Sequence, residues 1–224
     1  MSVGWSWNAG AVLVRLSILG ILLASFGVQA AESLPIIGHP CEGCEAAFDG
    51  LPSAVSTRLQ LAPADEPGVR MRVSGKIVDV EGQPRPGTIL YVHQTDRTGI
   101  YPPPASPLTA AARRHGRLRG WVQADVDGRY QIDTIRPGSY PNANIPEHIH
   151  VQVIEPGCFS YFIDDVMFRD DPKLTAAQER ALAMGTGGNG VSTPRMVDGV
   201  WLVERDVILG KNVPGYRACA IADT

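Results

Sequence analysis

Gly120-Trp121-Val122-Gln123-Ala124-Asp125-Val126-Asp127-Gly128-Arg129-Tyr130-Gln131-Ile132-Asp133-Thr134 carries the pattern that decides the fold. Apolar and polar side chains alternate on both sides of Asp125–Gly128, the period of half-buried β-strands, and the D-V-D-G centre supplies a turn whose glycine is free to take positive φ. A hairpin is expected, with strands near Gly120–Ala124 and Arg129–Thr134. Working outward, Val69–Val73 shows the same alternation and Glu81-Gly82-Gln83-Pro84 ends it with a turn; a strand over Thr88–Gln94 follows. Pro137-Gly138 marks the next reversal, and strands are expected over His148–Ile154, Phe159–Ile163 and Val200–Leu209. Tyr101-Pro102-Pro103-Pro104 lacks the amide protons a ladder needs and reads as surface loop. One short C-terminal helix is expected around Thr175–Met184, where Thr175 and Gln178 form a capping-box signature and Gly185 stops it. Gly185–Gly190 matches GxGxxG, but it follows a helix and precedes none, so it reads as a mobile loop and not a dinucleotide site. With 24 glycines, 18 prolines and 7% aromatics in 224 residues, the expected class is all-β.

Twenty basic residues stand against 23 acidic ones, for a net charge of −3, so no phosphate-tracking surface is encoded and no nucleic acid is expected as partner. Leu16–Ala31 carries no charge, follows Arg15, and contains Val28-Gln29-Ala30 at a plausible cleavage site. The run is shorter than the roughly 20 residues that span hydrocarbon. Residues 1–30 therefore read as a signal peptide, with a membrane anchor as the alternative, and the mature chain as exported, periplasmic or secreted, with no membrane attachment. Residues 31–66 read as an irregular N-terminal arm pinned by Cys41 or Cys44, and residues 67–224 as the sandwich domain. Cys41, Cys44, Cys158 and Cys219 are an even set, expected as disulfides with three possible pairings. Cys41-Glu42-Gly43-Cys44 also has the form of a zinc half-site or redox motif, yet no second CxxC accompanies it.

The chemistry is carried by His148-Ile149-His150. Residues i and i+2 of a strand share a face about 7 Å apart, so both imidazoles reach one ion while Ile149, Val151 and Val153 fill the core. An HxH pair alone is weak. Around it stand D-R-T-G-I-Y at 96–101, G-R-Y at 128–130, T-I-R-P-G-S-Y-P at 134–141 and P-E-H-I-H at 146–150. In these motifs and their order the sequence resembles the intradiol ring-cleavage dioxygenases (catechol and protocatechuate 3,4-dioxygenase-like), and an exported short member in particular.

The resemblance implies a β-sandwich and a mononuclear ferric site, Fe(3+), held by Tyr101, Tyr140, His148 and His150 with a solvent hydroxide. It implies O2-dependent cleavage of a catechol between its hydroxylated carbons to a cis,cis-muconate-type diacid. Tyr140 is the catalytic residue by that analogy, leaving the metal and accepting a catechol proton. Two phenolates are hard anionic donors that suit Fe(III), whereas a ferrous site would use two histidines and a carboxylate. One departure stands out: the family arginine three residues before the first histidine is Ile145 here, with Arg136, Arg119 or Arg117 as candidate substitutes. Glu147 is expected as a solvated or salt-bridged side chain and not a ligand, and His93 and His115 as structural or surface residues. The rival reading is a non-catalytic prealbumin-like sandwich that binds ligands, and a weaker one is copper or zinc at the histidine pair. Which catechol is cleaved, and the oligomeric state, are not encoded in these motifs.

Overall fold

The computed structural model describes residues 1–4, 34–104 and 108–219; the expected signal peptide lies almost wholly outside the described residues. Strands β1 (Arg58–Gln60), β2 (Arg70–Val78), β5 (Arg129–Ile135), β9 (Arg195–Val197) and β10 (Val200–Glu204) form one sheet in the order β1-β5-β2-β10-β9, and β11 (Val207–Ile208) pairs with the far end of β2. The second sheet runs β4-β3-β6-β7-β8, from β4 (Arg119–Gln123), β3 (Ile89–His93), β6 (His148–Glu155), β7 (Phe159–Phe168) and β8 (Val191–Ser192). Alternate residues of the two sheets meet in one core, Met71, Val73, Ile77 and Ile132 from the first against Leu90, Val92, Val122, Ile149, Val151 and Val153 from the second. The expected all-β sandwich is thus what forms, with Ile149, Val151 and Val153 facing inward.

The expected hairpin is corrected. Its turn is present, with the Asp125 amide donating to Arg129 and the Gly128 amide to Asp125, yet β4 pairs with β3 while β5 pairs with β2 and β1. The turn carries the chain from one sheet to the other. A second correction falls at Val200–Leu209, which breaks at Arg205-Asp206 into β10 and β11. A Cβ on Gly75 would overlap the Arg205 carbonyl, so the chain crosses β2 there at a distance only glycine permits. Tyr130 of G-R-Y is buried and donates to that same carbonyl at 2.5 Å, which makes it structural.

The arm is less irregular than expected. Its end forms β1, parallel to β5, and its middle forms a 3-10 helix, Cys44–Phe48, lying on the outer face of the second sheet. There Ala47 packs with Ile89, Tyr91 and Ile154, and Trp121 donates its indole N–H to the Ala47 carbonyl at 2.7 Å. Cysteines pair as Cys41–Cys44 and Cys158–Cys219. The first therefore closes a local loop and does not pin the arm to the sandwich; apolar burial holds the arm there. The second ties the C-terminal tail to the β6–β7 turn.

Helix α2 (Ala176–Ala183) has both halves of the expected capping box. A further one-turn helix, α1 (Ala110–Arg114), follows the proline tract read as loop, capped by Thr109 and buried through Ala111 and Ala112 against Ala46. Gly185–Gly190 is also corrected: Thr186, Gly187, Gly188 and Gly190 are buried against β7 and Arg205, not a solvent loop. Among the described residues no helix is long and apolar enough to cross a membrane.

Candidate metal centre

The two histidines are placed by an irregularity in β6–β7. Ile149 faces Val166 and Val151 faces Ile163, so one residue of β6, His150, stands opposite two of β7, Asp164 and Asp165. Such a bulge re-aims side chains. Here it brings the Asp165 carboxylate to 3.0 Å from His150 Nδ1, while Asp164 turns away to accept the Thr186 amide at 2.8 Å.

The two tyrosines come from loops that interlock. Asp96 closes an Asx turn by accepting the amides of Thr98 and Ile100, which carries the chain to Tyr101. Against it runs the Pro137–Tyr140 loop: the Gly138 amide donates to the Asp96 carbonyl at 2.8 Å, and the Thr95 hydroxyl to the Gly138 carbonyl at 2.7 Å. A Cβ on Gly138 would lie 2.6 Å from the Arg97 carbonyl oxygen and the Gly99 nitrogen, and one on Gly99 would overlap the Ser139 carbonyl. The glycines of D-x-x-G-x-Y and P-G-x-Y thus let two backbones touch, and the tyrosine two residues after each glycine is delivered to one spot.

There, four donor atoms converge. Tyr101 Oη lies 2.6 Å from Tyr140 Oη and 2.9 Å from His150 Nε2; Tyr140 Oη lies 3.2 Å from both His148 Nε2 and His150 Nε2, which are themselves 3.2 Å apart. Ligands about 2.0–2.1 Å from one ion, at 90–110° to each other, stand about 2.9–3.4 Å apart. His148 Nδ1 donates to the Pro146 carbonyl at 2.7 Å and His150 Nδ1 to Asp165, so in each neutral ring Nε2 is a bare lone pair. Two lone pairs facing each other at 3.2 Å, with two phenolic protons to serve all the contacts, are unfavourable unless a cation is shared among them. Burial also holds His148 below its usual pKa and pushes Tyr101 and Tyr140 up. The donor set fits a highly charged cation able to displace the phenolic protons. A carboxylate triad of His148, His150 and Asp165 can also be drawn, but Asp165 bonds to the nitrogen of His150 remote from the cluster and orients the ring from behind.

Residues 48–199 match the sequence model of the Dioxygenase family. The chain belongs to the intradiol dioxygenase family. It is 31% identical over 112 residues to the protocatechuate 3,4-dioxygenase beta chain of Burkholderia cepacia, covering 48% of each chain. It is 30% identical over 128 residues to the chlorocatechol 1,2-dioxygenase of Rhodococcus opacus, covering 50% of this chain and 48% of that one. The chain spans about half the length of these relatives. In fold it is similar to 3-chlorocatechol 1,2-dioxygenase from Rhodococcus opacus (TM-score 0.53, 20% identity, 72% of this chain and 68% of that) and to an intradiol ring-cleavage dioxygenase from Tetranychus urticae (TM-score 0.51, 19% identity, 84% and 97%).

Against that family background, the departure at Ile145 is not made good by the arginines expected to replace it. Arg136 donates to Glu147 and Asp170 and lies over Phe168 and Trp201. Arg117 donates to Glu66 at 2.5 Å. Arg119 lies over Tyr91 and Trp121 and donates to the Asp49 carbonyl. Of the two states expected for Glu147, solvated or salt-bridged, the structure shows the salt bridge, with Arg136.

His93 and His115, expected to be structural or surface residues, line a cavity beside the four converging side chains. A cavity of about 470 Å³ opens beside Tyr101 and His150, walled by Val151, Phe162, the Cys41–Cys44 loop and both of these histidines, with Arg114 among its lining residues. Of the described arginines, only Arg114 lines it; its partner Glu42 is 3.7 Å away and exposed. His93 stands opposite His150 in the β3–β6 ladder and its ring stacks on His150 at 4.4 Å and on His115 at 3.7 Å. A sequence signal for this existed: Tyr91-x-His93 repeats the i, i+2 spacing of His148-x-His150, so the paired strands show their polar residues on the same face.

Burial, then the charges of His150, Arg119 and Arg114, hold His115 down at about 4. An unfolded histidine titrates near 6.5. Between those values the unfolded chain binds the extra proton, so His115 stabilises the fold fully above pH 6.5 and that contribution is lost as pH falls toward 4. His115→Phe is expected to flatten the fall in Tm of the metal-free protein between pH 6.5 and 4 by several degrees relative to wild type. Parallel thermal melts across that window check it; coincident slopes would contradict it.

Proposed function

We propose that the chain is an Fe(III)-dependent intradiol dioxygenase that cleaves a catechol-type ring between its hydroxylated carbons, placing both atoms of O2 in a cis,cis-muconate-type diacid. The observation that carries this is the convergence of Tyr101, Tyr140, His148 and His150 on one point in a member of this family. Two phenolates and two imidazoles are the donor set for a hard trivalent ion, and the phenolates offset most of its charge in a partly apolar site. Bound Fe(III) would supply Lewis-acid activation of the catecholate toward O2.

The chain's own residues do the rest. Pro146 and Asp165 fix both imidazoles with Nε2 turned to the cluster. Tyr140 Oη, a phenolate if the metal is bound, would be the atom that takes up a proton from an incoming catechol, with the Tyr101 phenolate oxygen 2.6 Å away to share it. Phe162 gives the ring an apolar wall. Two disulfides support an exported, oxidising setting for the mature protein. A binding module would have no use for such a cluster.

Asp165→Asn, which keeps the shape but loses the carboxylate behind His150, is expected to weaken iron retention about 10–100-fold; competition with a chelator measures it, and unchanged retention would remove Asp165 from the site. The function itself is tested by incubating the iron-loaded protein with catechol, protocatechuate, hydroxyquinol and chlorocatechols, following O2 uptake and product mass. One O2 consumed per muconate-type diacid supports the proposal. No uptake on any of them, or a ring opened outside the two hydroxyls, contradicts it.

A further inference from the structure

Among the buried polar atoms, His93 Nδ1 has no hydrogen-bond partner. Neither ring nitrogen of His93 bonds any described residue, although the ring sits at the wall of the cavity that Tyr101 and His150 also line. Both faces of the ring are taken, one by His150 and the other, parallel within 1°, by His115. His115 is itself pinned, its Nδ1 2.9 Å from the Tyr91 hydroxyl of the neighbouring buried core. What His93 presents to the cavity is therefore its edge. A buried N–H without an acceptor is rarer than a buried lone pair without a donor, so the favoured tautomer leaves Nδ1 bare and puts the proton on Nε2.

Resting on the function proposed above, we propose that His93 is a substrate-contacting residue, its edge N–H donating to an oxygen of the bound catechol. Two observations converge on it: a side chain otherwise without hydrogen-bond partners, and a stack that fixes its plane before substrate arrives. A preorganised donor of this kind is worth more toward an oxygen that gains negative charge during reaction than toward a resting one. The role is therefore expected in kcat as well as in binding.

The test compares wild type with His93→Phe, which keeps an aromatic plate in the stack, and with His93→Gln, which restores an N–H donor. Iron content and visible absorption of the resting protein come first, then the Kd of 4-nitrocatechol by its colour change, then kcat and KM on the best catechol. In His93→Phe, unchanged iron content with about a tenfold weaker Kd and a fall in kcat on the order of 10–10² supports the assignment. Partial recovery in His93→Gln supports it further and guards against a folding defect in the first variant. Wild-type Kd and kcat in His93→Phe would overturn it, as would loss of iron in both variants, which would make the ring a structural wall for His150. A wild-type protein that neither holds iron nor binds 4-nitrocatechol would overturn the proposed function itself, before any variant is compared.

Discussion

Tyr101→Phe is expected to remove much of the visible absorption of the iron-loaded protein, leaving only what Tyr140 supplies, and to lower turnover on the order of 10³-fold or more, since losing a single preorganised charge-stabilising group already costs 10²–10³. The reason is positional. Tyr101 Oη is the atom closest to two others of the cluster, 2.6 Å from Tyr140 and 2.9 Å from His150, so its loss opens the set on its most crowded side. Tyr140→Phe is expected to match it in turnover, because the proton acceptor for catechol goes with the oxygen, while Tyr101 keeps part of the colour. Both rings are only half-buried and sit in loops, so the fold should survive with Tm little changed. Absorption spectra, iron content and oxygen uptake on the two variants check this; full colour and turnover in Tyr101→Phe would contradict it.

The second large effect is at the glycines between the tyrosine loops. Gly138→Val would drive a side chain into the Arg97 carbonyl and the Gly99 amide, and Gly99→Val would add the strain of a positive φ, 82°, to an overlap with Ser139. Each is expected to destabilise by about 2–4 kcal/mol, through overpacking at both positions and backbone strain at Gly99 as well. Iron retention should fall further than stability does, because the loops separate where the tyrosines emerge. Chemical denaturation beside iron content separates the two effects. Gly82→Ala, in an exposed turn with nothing near its Cβ, is the control and is expected to retain iron fully.

Alternation along β2 to β7 was enough to place most of the sandwich, because one face of each strand is buried and a period of two leaves a clear trace. It could not say that β4 and β5 belong to different sheets, since a turn sequence fixes local geometry and not the partner each strand finds afterwards. The break at Arg205-Asp206 was hidden for a similar reason: it is imposed by Gly75, 130 residues earlier. In the site, Tyr101, Tyr140, His148 and His150 stood out as motifs, and the structure brings all four together. Asp165 did not, because its place depends on a bulge that no local pattern records, and the Tyr91-x-His93 spacing becomes a signal only once β3 is registered against β6. The arm was read as loose for want of periodicity; what holds it is a row of apolar side chains meeting the outer face of the sheet.

The central claim is that the four side chains hold one ferric ion. Titrating the purified metal-free protein with Fe(III) while recording the visible spectrum tests it most directly. A broad tyrosinate charge-transfer band that saturates at one iron per chain is the predicted result. Iron that binds without colour, or no saturable binding at all, would contradict it.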